Sequence, residues 1–205
     1  MILEHQGTSP TIHETAYVAP NAVVCGDVTI GEHSRVLFGA VITADGGPVQ
    51  IGSHCIIMEN AVVRGTPTHP TQIGDYVLVG PRSYLTGCTV EDRVFLATGA
   101  TVFNGATIGI GAEVRINGVV HIKTAIPADA VVPIGWVAVG DPAEILPPHQ
   151  HDMIWAIQEQ LDFPREVFGL DRQETRALMP ELTRRYCRAL KSHVHDRVVE
   201  REKAR

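Results

Sequence analysis

Aromatic residues are scarce, at 5% of a 205-residue chain in which hydrophobic residues make up 44%. A core must therefore be assembled from Val, Ile, Leu and Ala, whose side chains suit small, regular β-layers. Positive charge is not in excess either. The 17 basic residues stand against 23 acidic ones, for a formal charge of −6, so no basic field exists to collect nucleic acid. The cysteines, Cys25, Cys55, Cys88 and Cys187, show no CxxC pair and no disulfide-like spacing. No apolar run reaches the 18 or so residues of a membrane helix, and MILEHQGTSP lacks a charged-then-apolar leader pattern. The expectation is a reduced, cytoplasmic protein with no nucleic-acid or membrane partner.

What the chain has instead is a beat of six. Aliphatic residues recur with a small residue four positions later: Ile12 and Ala16, Val18 and Ala22, Val24 and Val28, Ile30 and Ser34, Val36 and Ala40. The phase breaks at Asp45–Pro48, resumes at Ile51 and Ile57, breaks again over residues 65–72, and resumes at Ile73 and Val79. One repeat, at Leu85–Thr89, is a residue short, after which the beat runs through Val90, Leu96, Val102, Ile108, Val114 and Val120 to Ile126. Period six is neither the helical 3.6 nor simple alternation. It fits a triangular parallel β-solenoid, each hexapeptide giving one short strand and one corner, with about seven coils over residues 12–145. Glycines at the second hexapeptide position (Gly31, Gly52, Gly74, Gly80, Gly109) are expected at corners that need permissive backbone angles. Both interruptions should be loops thrown out from corners, where sites are built.

The rhythm stops after Pro142, Pro147 and Pro148. HDMIWAIQEQL predicts a helix closed by Pro164, and a second helix is expected from the cap residue Asp171. Beyond Pro180, LTRRYCRALKSHVHDRVVEREKAR reads as a continuing amphipathic helix that frays at its end. Residues 1–146 are thus expected to form the solenoid, and 147–205 a helical extension packing on it or on a trimer. Between IPADAV and GDPAEIL lies the added VPIGWV, whose Trp136 is expected to cap the last coil.

The segments LFGAVITADGGPVQIG, IIMENAVVRGTPTHPTQIGDYVLVGPRSYLTGC and VFLATGATVFNGATIG, with the later GDPAEIL, together resemble the γ-class carbonic anhydrases over roughly residues 10–146. The resemblance implies a left-handed β-helix homotrimer, with clefts between subunits that hold zinc or iron on three histidines. Such chemistry needs neutral imidazoles around an open coordination position. Laid on this chain without a gap, the family's histidine positions fall on Arg64, Pro81 and Thr86. None can be an imidazole ligand, and Arg64 stays charged. The family's RGD-like segment is here Thr43-Ala44-Asp45, keeping only the aspartate, and a family glutamine becomes Met58. Asn60, Gly80, Gly87 and Cys88 hold the register on either side.

The reading is therefore a homotrimer with its standard metal site dismantled and carbon dioxide hydration lost. No cofactor is expected, and zinc enters only through an alternative in which the ligands have moved. Arg64 and Arg82 are candidate donors to a small anion in a cleft lined by Asp45, Tyr84 and Thr86, since guanidinium forks suit carboxylates and phosphates. The competing reading has Arg64 paired internally with Asp45. A second alternative is a hexapeptide-repeat acyltransferase or thioester hydrolase, with His69 or His121 as general base. A third is a noncatalytic scaffold subunit that docks a protein partner through its C-terminal helix. The pairs His149/His151 and His193/His195 offer no third ligand at recognisable spacing.

Overall fold

The fold was read from a computed structural model that describes residues 1–161, 165, 167, 169 and 178–199. Two- to four-residue strands follow one another around a prism and stack coil on coil into one ten-stranded and two seven-stranded sheets. Pairing within the repeat is parallel and in register, as in Val63 beside Ile42 and Leu85. The aliphatic beat becomes three inward columns: Val24, Ile42, Val63, Leu85, Val102 and Val120; Ile30, Ile51, Ile73, Val90, Ile108 and Ile126; Val36, Ile57, Val79, Leu96, Val114 and Val132. All are buried, and each such side chain contributes about 1.5–3 kcal/mol of hydrophobic stabilisation. The small residues line the inner corners, where Ser34 donates to the Gly52 carbonyl at 2.7 Å and Ser83 to that of Ala97 at 3.0 Å.

The corner glycines work differently from the expectation. Gly31, Gly52, Gly74, Gly80 and Gly109 do not hold positive φ. The left-handed residues come two positions later, at His33, His54, Tyr76, Arg82 and Gly111. Glycine is needed first because the next coil lies too close: a Cβ on Gly31 would stand 2.6 Å from the Gly52 carbonyl carbon.

The stack also begins earlier than residue 12, since Ile2–Glu4 pairs parallel with Val23–Cys25. At the far end the chain reverses, and Glu144–Leu146 pairs antiparallel with Val137–Val139. Helix α1 (His151–Gln160) lays Ile154 and Ile157 on Val139 and Leu146, and Trp136 packs, partly buried, against the core at this end. Pro164 and Asp171 lie outside the described residues, as do residues 200–205.

Helix α2 (Leu178–Leu190) takes Pro180 into its first turn, where an N–H is dispensable. It does not continue as the sequence pattern suggests. A 3₁₀ turn at Lys191–His195 breaks it, and Arg197–Val198 pairs antiparallel with Leu3–Glu4. The open edge of Ile2–Glu4 supplies the reason: Val199 N–H finds the Ile2 carbonyl at 2.8 Å, satisfying groups that an edge strand leaves unpaired.

Candidate functional site

The strand registers draw one row across the outer face of the ten-stranded sheet: Leu3, Cys25, Thr43, Arg64 and Thr86, each beside the next. Arg64 and Thr86, two of the three positions at which the resemblance implies histidine, are therefore direct neighbours. Pro81 lies past Leu78–Val79 of a different sheet. A guanidinium, a proline ring and a buried hydroxyl do not fit a zinc or iron ion of the three-imidazole kind, which needs neutral nitrogen donors around an open position.

Arg64 is held on two sides. Its Nε donates to Asp45 Oδ2 at 3.1 Å, its NH2 bonds the same oxygen, and NH2 also meets the Tyr186 hydroxyl of α2 at 2.9 Å. Burial works against the charged guanidinium, but the bonds to Tyr186 and Asp45 outweigh it and push its pKa above the usual arginine value. The second loop folds back on the same strand end, with Thr71 Oγ1 donating to the Arg64 carbonyl at 2.5 Å and Gly87 N–H at 2.9 Å.

The other candidates are spread around this pair. Tyr84 aligns with Val62, two residues before Arg64. Arg82 is exposed at a left-handed corner with φ 57°, and its backbone N–H reaches the Glu59 carbonyl at 3.0 Å. His69 lies in the loop beyond Arg64, its Nδ1 2.9 Å from Thr68 Oγ1, with its Cβ and backbone carbonyl over Gly87 and its ring over Gly105. His121 belongs to a different neighbourhood, an aromatic ladder running Tyr84, Phe103, His121 with centroids 6.3 Å apart at each step. Burial lowers its pKa.

A second cluster on the same face was not visible in the sequence. His193, which shows no third ligand by spacing, meets Asp196, His5 and Cys25, and the potential ligand atoms of all four lie within 4.8 Å of one another. Asp196 Oδ1 is 2.5 Å from His5 Nδ1, its Oδ2 is 2.8 Å from His193 Nδ1, and Cys25 Sγ approaches the same oxygen at 3.6 Å. The His5 and His193 rings stack at 4.4 Å. Burial raises the Asp196 pKa less than the hydrogen bonds from His5 and His193 lower it. Asp45 joins the two clusters, with Oδ1 3.3 Å from His193 Nε2.

Similarity to known proteins follows the solenoid. Residues 9–44 match the family model described as bacterial transferase hexapeptide (six repeats). The chain is 37% identical over 144 residues to gamma carbonic anhydrase 1, mitochondrial, of Arabidopsis thaliana, covering 67% of this chain and 50% of that protein. It is 40% identical over 91 residues to a probable carbonic anhydrase of Methanocaldococcus jannaschii, covering 44% of this chain and 57% of that one. Among solved structures, a putative acetyltransferase of Bacillus cereus superposes with a TM-score of 0.63 at 26% identity, over 78% of this chain and 91% of that one. The chain spans about half the length of the curated relatives it matches.

Proposed function

Because the chain belongs to the γ-carbonic-anhydrase-like family of hexapeptide-repeat proteins, we propose that it is a homotrimeric member that does not hydrate carbon dioxide and serves as a noncatalytic subunit. One observation carries this reading: Arg64, between Thr43 and Thr86, gives its guanidinium to Asp45 and Tyr186. Hydration by this family needs metal-bound hydroxide, formed when the ion lowers the pKa of water to about 7. A guanidinium neither coordinates a metal nor accepts a proton near neutral pH. Arg64 instead supplies a fixed positive charge, neutralised by Asp45, and joins helix α2 to the sheet through Tyr186. No membrane role is proposed, and no helix among the described residues is long and apolar enough to cross a bilayer.

The test is stopped-flow carbon dioxide hydration with the protein saturated in turn with zinc, ferrous iron and cobalt. The expected rate equals that of buffer. Metal-dependent hydration that a chelator abolishes would refute the proposal. Bicarbonate, acetate and phosphate in a thermal-shift assay on wild type and Arg64→Ala then examine the cleft of Asp45, Arg64, Arg82, Tyr84 and Thr86. A stabilisation that disappears with Arg64 would show an anion displacing Asp45 from the guanidinium.

Acyl transfer is the second reading, favoured by the similarity to the Bacillus cereus putative acetyltransferase along most of both chains and by His69 lying over Gly87 and Gly105. In it, His69 would act as general base toward a coenzyme A thioester. Coenzyme A thioesters that neither bind nor turn over remove it.

A further inference from the structure

We propose that His5, Cys25, His193 and Asp196 form a zinc site that locks the C-terminal segment onto the first coil. Backbone pairing aligns the donors. Leu3 and Glu4 face Val198 and Arg197 in antiparallel register, so the next step of that ladder sets His5 opposite Asp196. Parallel pairing of Leu3 with Cys25 adds the thiol. The 3₁₀ turn at Lys191–His195 then brings His193 back to Asp196.

The donor set has the composition zinc selects: two imidazoles, a thiol and a carboxylate. His5 and Cys25 are 5% and 3% exposed, and Asp196 and His193, with side chains 12% and 31% exposed, close the cluster on its outer side. Tetrahedral zinc at ordinary bond lengths holds its ligand atoms about 3.3–3.7 Å apart. The distances here, from 2.5 Å between His5 and Asp196 to within 4.8 Å across the cluster, bracket that spacing.

A second observation points to metal. A ligating imidazole characteristically gives its other nitrogen to a carboxylate, which orients the ring and raises its basicity. His193 has a carboxylate in that place: with Nδ1 toward the cluster, its Nε2 is within ion-pair reach of Asp45, 3.3 Å from Oδ1. Asp45 is in turn fixed by Arg64. Four protein ligands leave no open position for water, so the site is structural. It therefore agrees with an absence of hydration activity and stands independently of it.

The experiment strips the full-length chain with a chelator and titrates it with zinc and, separately, cobalt. About one zinc per chain is expected to survive desalting, and the cobalt form should show a thiolate-to-metal charge-transfer band. Cys25→Ser and His193→Gln should each remove the zinc, with circular dichroism confirming the fold. Asp45→Asn, which keeps all four donors, should weaken binding by about tenfold or more. If the folded wild type takes up no zinc, or if His193→Gln retains a full equivalent, the proposal is overturned.

Discussion

Nε2 of His193 lies 3.3 Å from Oδ1 of Asp45, a carboxylate whose other oxygen accepts from Arg64. A residue of the 3₁₀ turn after α2 and a residue at the end of Val62–Gly65 thus share one aspartate. The C-terminal segment is tied by this aspartate to the row Leu3, Cys25, Thr43, Arg64, Thr86.

Removing Arg64 should destabilise the fold. The Arg64 and Asp45 side chains are 24% and 16% exposed, so the ion pair is only partly screened and Arg64→Ala leaves a carboxylate without its main partner. A loss of about 1–3 kcal/mol is expected in urea unfolding. Arg64→Lys should recover only part of it, because a point charge cannot reproduce the fork.

The C-terminal segment should detach without unfolding the prism. Val199→Pro removes the N–H that donates to the Ile2 carbonyl at 2.8 Å, and Tyr186→Phe removes the bond to Arg64. Limited proteolysis should cut residues 178–199 faster in Val199→Pro than in wild type and leave the solenoid intact. Tyr186 is exposed, so its single change should cost less than about 1 kcal/mol.

Gly87→Ala should be costly for two reasons. Gly87 holds φ +53°, and a Cβ there would stand 2.7 Å from Cβ of His69. The backbone strain alone is worth about 1–3 kcal/mol, and the loop carrying His69 must shift as well. Gly87→Ala is expected to unfold at lower urea concentration. If His69 is the base in acyl transfer, the change should also lower turnover more than binding.

Acid should weaken the protein through His121. Burial lowers its folded-state pKa, so the unfolded chain binds more protons and stability rises with pH. The contribution is fully present above the unfolded value of about 6.5 and is lost as pH falls through the folded value. Urea midpoints measured from about pH 7 down to pH 5 should decline, and less steeply in His121→Gln.

A core substitution calibrates these effects. Leu85, fully buried in the column that passes beneath Arg64 and Thr86, should cost about 2–5 kcal/mol when changed to Ala.

The prism was legible in the residues, because a hexapeptide beat is local. Arg64 and Asp45 could be named as potential partners, since a buried guanidinium needs a carboxylate and each stands at the edge of a loop. The glycine corners were located correctly but for another reason: the need is set by the neighbouring coil's backbone, which no one hexapeptide contains. The spacing of His193 does not reveal its cluster, which joins His5 to Asp196 across 191 positions, because spacing rules see only ligands close in the chain.

The sequence by itself determined a solenoid with an aliphatic interior and two corner loops. Only the tertiary structure decided that the chain after Leu190 leaves its helix and joins the first strand. That choice depends on an unpaired sheet edge, which exists only once the coils have stacked. From it follow the meeting of His5, Cys25, His193 and Asp196 and their link through Asp45 to Arg64, since side chains from opposite ends of the chain converge only when backbone hydrogen bonding sets their register.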